Sequence, residues 1–187
     1  MTQADSSRVA EVIRSLDGVA SAMTLCLACG FCCNGTLHIH TALLPEETAA
    51  AAALGLRVTA AGDRPAFQQP CAKFQAGKCA IYDQRPQVCR GYACALLKRM
   101  QAGEITLEQA LRVVGIAHKQ LGVFQMRVPE APSFMHWLKA VEASADAAGV
   151  DTGLARAVSD DPALSNHAVA LVIYLTKYFG ETDAAGS

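Results

Sequence analysis

Eight cysteines in two blocks are the residues of this chain whose type and spacing could do chemistry. The first four lie close together, at Cys26, Cys29, Cys32 and Cys33. The other four follow at Cys71, Cys79, Cys89 and Cys94. A Cys-x-x-Cys step places two sulfurs on one turn of the backbone, close enough to bind one ion, and thiolates bind zinc, iron and iron–sulfur clusters. The two blocks therefore predict metal binding through all eight cysteines.

The spacing inside the first block is compatible with more than one kind of centre. Three cysteines repeat at every third residue from Cys26, and Gly30 allows the sharp turn that such a curl requires. Three cysteines at this spacing with a distant fourth can bind a [4Fe–4S] cluster, but a bacterial ferredoxin run would continue to Cys-Pro. Here Cys33 directly follows Cys32. Because adjacent side chains diverge, these two are expected to serve different metals or opposite sides of one cluster. Two four-thiolate sites and one larger centre both remain open, as do iron–sulfur and zinc.

Positive charge is concentrated around the second block. The formal net charge of the whole chain is −1, which gives no basis for nucleic-acid binding. Between residues 63 and 99, however, seven lysines and arginines stand against two aspartates. Cations near a thiolate-rich centre offset its negative charge, so Arg85 and Arg90 are predicted to balance charge. Pro86 is predicted to shape the loop between them.

The chain has no feature that predicts export or membrane insertion. No apolar run approaches the roughly 18 residues that span a membrane. The start of the chain, Met1 to Asp5, lacks the positive and apolar parts of a signal peptide. We therefore predict a cytoplasmic protein, in which clustered cysteines bind metals. In a secreted chain, the even number of cysteines would instead predict four disulfides.

Histidines and tyrosines near the cysteines are secondary candidates. His38 and His40 point the same way on a predicted strand and could be reserve ligands, although we favour solvent-facing residues. Tyr82 and Tyr92 could stack over the site, although packing is the simpler interpretation. The remaining histidines are predicted at or near the surface of helices, at His118, His136 and His167.

The two blocks together resemble a known family. The first reads Cys26-x-x-Cys29-Gly30-x-Cys32-Cys33. The second continues from Cys71 and Cys79 to Ile81-Tyr82-x-x-Arg85-Pro86-x-x-Cys89-Arg90-x-Tyr92-x-Cys94. Both resemble the signatures of the bacterial cysteine-cluster proteins of the CxxCxxCC family, which are described as zinc- or iron-chelating. The resemblance covers residues 26–94 and implies metal chelation without an assigned activity. Flagellin lysine methylases look similar in their cysteine block, which leaves an enzyme open.

The elements that must position the cysteines are mostly helices. Hydrophobic residues make up 52% of the chain, which predicts a globular protein. Alanine is plentiful and aromatic residues make up only 6%, which is typical of closely packed helices. Hydrophobic periodicity and capping signals predict a first helix over 7–16 that ends at Asp17-Gly18, with a second turn or two through 20–23 into the first cysteine block. Further helices are predicted over 45–54, 95–102, 106–121 (with a Thr106–Gln109 capping box and Gly122 as C-cap), from Ser133 onward, and 161–180. A strand is predicted over 36–41, irregular structure over 55–70, and a small hairpin between Cys71 and Cys79.

The predicted fold class is mainly α. A loop-rich cysteine module with one short β-hairpin is expected to pack against four or five helices. The predicted units are an N-terminal helix (1–25), the metal-binding module (26–94) and a helical C-terminal region (95–187), the last two forming one compact unit.

Three functions are compatible with the residues. The first is a metal-binding protein that holds one or two thiolate-ligated iron (iron–sulfur) or zinc centres. The second is a redox or methyl-transfer enzyme that uses an iron–sulfur centre. The third is a partner-binding module with a structural zinc knot, and a protein partner or a homodimer fits the apolar helix faces. No nucleophile elbow, Walker loop or dinucleotide fingerprint occurs, so no catalytic residue is predicted.

Overall fold

Helices dominate the fold, as the fold-class prediction required. The structure is a computed structural model that describes residues 3–148 and 161–180, with side chains described over 16–143 and 161–180. The helices of this part of the chain are α1 (Gln3–Cys29), α2 (Thr48–Ala53), α3 (Gln87–Gly91), α4 (Ala95–Gln101), α5 (Leu107–Arg127), α6 (Phe134–Ala148) and α7 (Pro162–Phe179). Short 3₁₀ turns cover Pro45–Glu47 and Tyr82–Gln84. None of these helices is both long enough and apolar enough to cross a lipid bilayer.

Helix α1 is longer than the sequence predicted. It continues through Asp17-Gly18, where the prediction placed its end, and reaches the first cysteine block. A glycine inside a helix costs only about 1 kcal/mol relative to alanine. Further along the helix, the Leu25 side chain is 2% exposed in the core, and its burial outweighs that cost. The prediction of a break at Gly18 was therefore wrong.

A three-stranded antiparallel sheet replaces the irregular structure predicted for 55–70. Its strands are β1 (His40–Ala42), β2 (Val58–Ala61) and β3 (Arg64–Gln68), in the order β1-β3-β2. The central strand β3 was not predicted because it contains Pro65, and proline is rare inside central strands. Here it lies at the start of β3, and its carbonyl oxygen accepts a hydrogen bond from the Leu43 N–H at 2.8 Å.

The prediction of a strand over 36–41 is also mostly wrong, since only the last two residues of that range lie in β1. The Thr36 N–H instead donates to the Asn34 side-chain oxygen at 3.0 Å, and the Leu37 N–H donates to the Phe31 carbonyl. Such local bonds compete with strand pairing. The predicted small hairpin is confirmed as β4 (Phe74–Gln75) and β5 (Lys78–Cys79).

The C-terminal helices follow the predictions with one exception. Thr106 and Gln109 form the predicted capping box of α5, Ser133 accepts from the His136 N–H, and the Asp161 side chain caps α7. Gly122 does not end α5, which continues to Arg127. The extra turn buries Phe124, whose ring lies 5.0 Å from the rings of both Phe134 and Trp137. That burial explains why the helix passes the glycine.

Two separate groups of buried apolar residues surround the cysteines. The larger one, here called the helical core, joins α1, α4, α5, α6 and α7 and includes Leu25, Phe31, Leu96, Phe124, Leu171 and Phe179. The smaller one, the sheet-side core, lies between α2 and the three-stranded sheet and consists of Leu43, Ala51, Leu56 and Phe67. The cysteine segments lie where the two cores meet.

Candidate metal centre

The first cysteine block spans the end of α1 and the turn after it. Cys26 and Cys29 lie on the last helical turn, and Cys32 and Cys33 lie in the turn that follows. Gly30 has a φ of +68°, which confirms the sharp turn predicted there. A Cβ at Gly30 would lie 2.6 Å from the Cζ of Phe74, so this position also admits the hairpin ring.

Three cysteines of the second block lie on or next to short elements near the first block. Cys79 lies on β5 and Cys89 on α3, while Cys94 is the residue directly before α4. The Cys71 N–H donates to the Cys33 carbonyl at 2.8 Å, which ties the two blocks together. Its own sulfur accepts from the Lys73 N–H at 3.4 Å. All eight cysteines are free thiols.

The structure gathers all eight cysteines around one cavity of about 250 Å³. Apart from the sulfurs, its walls are mostly apolar and include Leu25, Phe31, Leu56, Phe67 and Phe179. Soft sulfur donors in such a setting suit zinc or an iron–sulfur cluster better than a hard cation. Within the described part of the chain, no three His, Cys, Asp or Glu side chains converge in a metal-ion arrangement. The cysteines share a cavity rather than a single point.

The thiols nevertheless fall into two groups according to which neighbours act on each of them. In the first group, burial raises the pKa of Cys29 to about 12; the Phe31 N–H opposes the rise, and Cys94 and Cys26 add to it. Burial also raises the pKa of Cys32, with Cys29 and Cys94 as the strongest thiol neighbours. The pKa of Cys26 is raised by burial and then by Cys94. The first cysteine group is therefore Cys26, Cys29, Cys32 and Cys94.

The second group forms around Cys33, which directly follows Cys32 in the chain. Burial raises the pKa of Cys33 to about 12, and the thiols that add to the rise are Cys79, Cys71 and Cys89. Burial raises the pKa of Cys89 to about 11, with Cys71 and Cys79 as its thiol neighbours. The second cysteine group is therefore Cys33, Cys71, Cys79 and Cys89. Cys33 also acts on Cys29 and Cys32, as expected of a sequence neighbour.

Packing divides the cysteines in the same way as their electrostatic neighbours do. Cys29 and Cys94 pack against the helical core. Cys71 and Cys89 pack against the sheet-side core. The boundary between the groups therefore falls between Cys32 and Cys33, the adjacent pair whose side chains were expected to diverge.

The structure separates two arginines that the sequence treated alike. Arg85 lines the cavity, and its guanidinium lies 3.6 Å from the centroid of the Tyr82 ring. Its Nε is buried and has no hydrogen-bond partner in the described part of the chain. Arg90 is exposed and does not line the cavity. Pro86 is buried directly before α3, where it leads the chain into the helix that carries Cys89.

Glu47 is a residue near the site that sequence reasoning missed. One of its carboxylate oxygens accepts from the Gln87 N–H at 2.7 Å, at the start of α3. The other oxygen is buried and has no hydrogen-bond partner among the described residues. Its charge is one of the causes that raise the pKa of Cys89, after burial and the neighbouring thiols. The sequence offered only Pro45-Glu46-Glu47 as a helix start, and nothing in it pointed to a contact 40 residues away.

The histidines and tyrosines have different places. His38, His40, Tyr82 and Tyr92 line the cavity, and the His38 and Tyr92 rings meet edge to face at 5.4 Å. The other histidines contact protein groups: His118 the ring of Phe31 and the Ala28 carbonyl, His136 the Ser133 hydroxyl, and His167 the Gln120 carbonyl. None of these three lines the cavity.

Comparison with known proteins identifies the cysteine region alone. No curated protein and no solved structure matches the chain. Residues 25–110 match the model of the CxxCxxCC family, whose description is "Putative zinc- or iron-chelating domain". The matched range contains both cysteine blocks and continues through α4 into α5. Residues 25–110 of this chain are therefore similar to the CxxCxxCC domain family.

Proposed function

We propose that this protein binds two thiolate-ligated iron–sulfur centres, one in each cysteine group. The observation that carries the proposal is the cavity of about 250 Å³ that all eight cysteines line. Four cysteines per centre is the usual ligand number of a [2Fe–2S] or [4Fe–4S] cluster. The CxxCxxCC match supports binding of iron or zinc and does not distinguish between them.

The size of the cavity favours a cluster over a single ion. Zinc binds four thiolates at about 2.3 Å, so the sulfurs touch the ion and leave no space between them. A cluster of several iron and sulfide atoms needs a volume of its own between the cysteines. The cavity provides that volume, and its apolar walls would limit access of water to the bound cluster.

Thiol protonation couples binding to pH. Burial raises the pKa of Cys29 and Cys33 to about 12, so these thiols stay protonated at neutral pH while no metal is bound. Metal binding requires thiolates and must therefore release protons. Loading is consequently expected to improve as the pH rises toward the pKa values of these thiols.

Metal analysis of protein purified without oxygen tests the proposal. Iron, acid-labile sulfide and zinc would be measured per chain, together with the visible absorption spectrum before and after reduction. Stoichiometric iron and sulfide, with a visible band that reduction bleaches, would support two clusters. A colourless protein with two zinc ions would reject the iron–sulfur proposal and favour the structural zinc knot. Absence of both metals would reject metal binding.

A further inference from the structure

Arg85 holds an unusual position for a charged residue. It is the one lysine or arginine among the residues that line the cavity, and no aspartate or glutamate lines it within the described part of the chain. Two four-thiolate groups are negatively charged when they bind metal. Any cation that faces the cavity therefore has a large electrostatic effect on them, because the apolar walls reduce screening.

The Arg85 side chain contacts an aromatic ring and has a buried donor that lacks a hydrogen-bond partner among the described residues. Its guanidinium lies over the Tyr82 ring at 3.6 Å from the ring centroid, within cation–π distance. Among the described residues the buried Nε–H has no acceptor, and such a donor normally carries an energetic cost. A thiolate or a cluster sulfur in the cavity would provide the acceptor that is missing.

Arg85 is placed to reach both cysteine groups. It lies between the Tyr82–Gln84 turn and α3, and it lines the one cavity that cysteines of both groups also line.

We propose that Arg85 is a positioning residue shared by the two centres, with its guanidinium donating to sulfur and balancing charge in both. This inference rests on the proposed function, since it assigns a role at the same centres. Arg90 directly follows Cys89 but is exposed outside the cavity, so it has no such role.

The test uses the full chain with one cysteine group disabled at a time. Cys26→Ser with Cys29→Ser leaves the second group, and Cys71→Ser with Cys79→Ser leaves the first. Arg85→Gln, Arg85→Lys and Arg90→Gln would be added to each background. Metal retention would be measured by competition with a chelator, which works for iron and for zinc.

Arg85→Gln is expected to weaken metal retention roughly tenfold in both backgrounds, as is usual when a partner of metal ligands is removed. Arg85→Lys should recover part of the loss because it keeps the charge, whereas a purely structural role would gain nothing from lysine. Arg90→Gln should retain metal like its parent.

Two results would overturn the shared role while leaving metal binding intact. Arg85→Gln could match Arg90→Gln in both backgrounds, or its effect could be confined to one group. Failure of the proposed function itself would look different, since the unsubstituted chain would then bind zinc without iron and sulfide, or no metal at all.

Discussion

The two cysteine groups of this protein are built from different kinds of structure. The first group uses the end of the long helix α1, the turn after it and the start of α4, and it rests on the helical core. The second group uses a turn residue, a two-residue strand and a five-residue helix, and it rests on the small sheet-side core. Long helices with many buried contacts resist local opening better than short elements do. The second group is therefore expected to depend more on individual contacts such as the one from Glu47.

The largest effect should come from removing one cysteine of each group. Cys94→Ser is expected to abolish metal binding in the first group and Cys89→Ser in the second, so each should lower metal content by roughly half. The double variant should bind almost none. Metal per chain, measured by elemental analysis, checks this directly. Complete loss of metal from either single variant would mean that the eight thiols form one larger centre.

A second prediction concerns the close approach between Gly30, in the first cysteine block, and the Phe74 ring of the hairpin. Gly30→Ala places a Cβ 2.6 Å from the Phe74 ring in a left-handed conformation, so destabilisation of about 2–4 kcal/mol is expected. Gly62→Ala is the matched control, because Gly62 also has a positive φ (+61°) but nothing within 4 Å of its Cβ position. Urea unfolding would compare the two. Equal losses in the free energy of unfolding for the two variants would show that the contact with Phe74 does not contribute to stability.

A smaller effect is expected from substitution of Glu47, which should change metal retention in the second group only. Glu47→Ala removes the acceptor of the Gln87 N–H at the start of α3, which carries Cys89. We expect metal to leave the second group several-fold faster, with the first group unchanged. Chelator competition in the two half-site backgrounds measures this. Exposed Glu46→Ala is the control, and an equal effect of both substitutions would contradict a specific role for Glu47.

The smallest effect should be a pH dependence outside both groups. Burial lowers the pKa of His136, and His40 and Arg57 lower it further. The His136 imidazole therefore binds a proton less readily in the folded state than in the unfolded state. Its contribution to the free energy of unfolding is present above pH 6.5 and is lost as the pH falls through the lowered pKa. His136→Asn should therefore lose less stability between pH 7 and pH 5 than the unsubstituted chain in thermal unfolding. An unchanged pH profile would contradict this assignment.

The accuracy of the sequence predictions followed the strength of the local signals. Capping at Thr106, Ser133 and Asp161, and the hairpin before Cys79, were predicted correctly because each depends on residues next to one another in the chain. The sheet over 58–68 was missed because β3 pairs with two other strands, which outweighs the proline at its start. The ends at Gly18 and Gly122 were wrong because burial further along the chain outweighs the cost of glycine. The proposed domain boundaries and the compartment stay predictions.

The sequence by itself determined the type, number and spacing of the eight cysteines, the family match of residues 25–110 and the mainly helical fold. It also indicated that the adjacent side chains of Cys32 and Cys33 diverge and serve different metals or opposite sides of one cluster. Only the tertiary structure decided which thiols act on each other, because Cys94 acts on Cys29 and Cys89 on Cys33 across more than 50 residues of chain. The same packing of distant segments distinguished Arg85 from Arg90 and brought Glu47 to α3. Burial and electrostatic contact depend on where the chain returns in space, and local residue spacing does not contain that information.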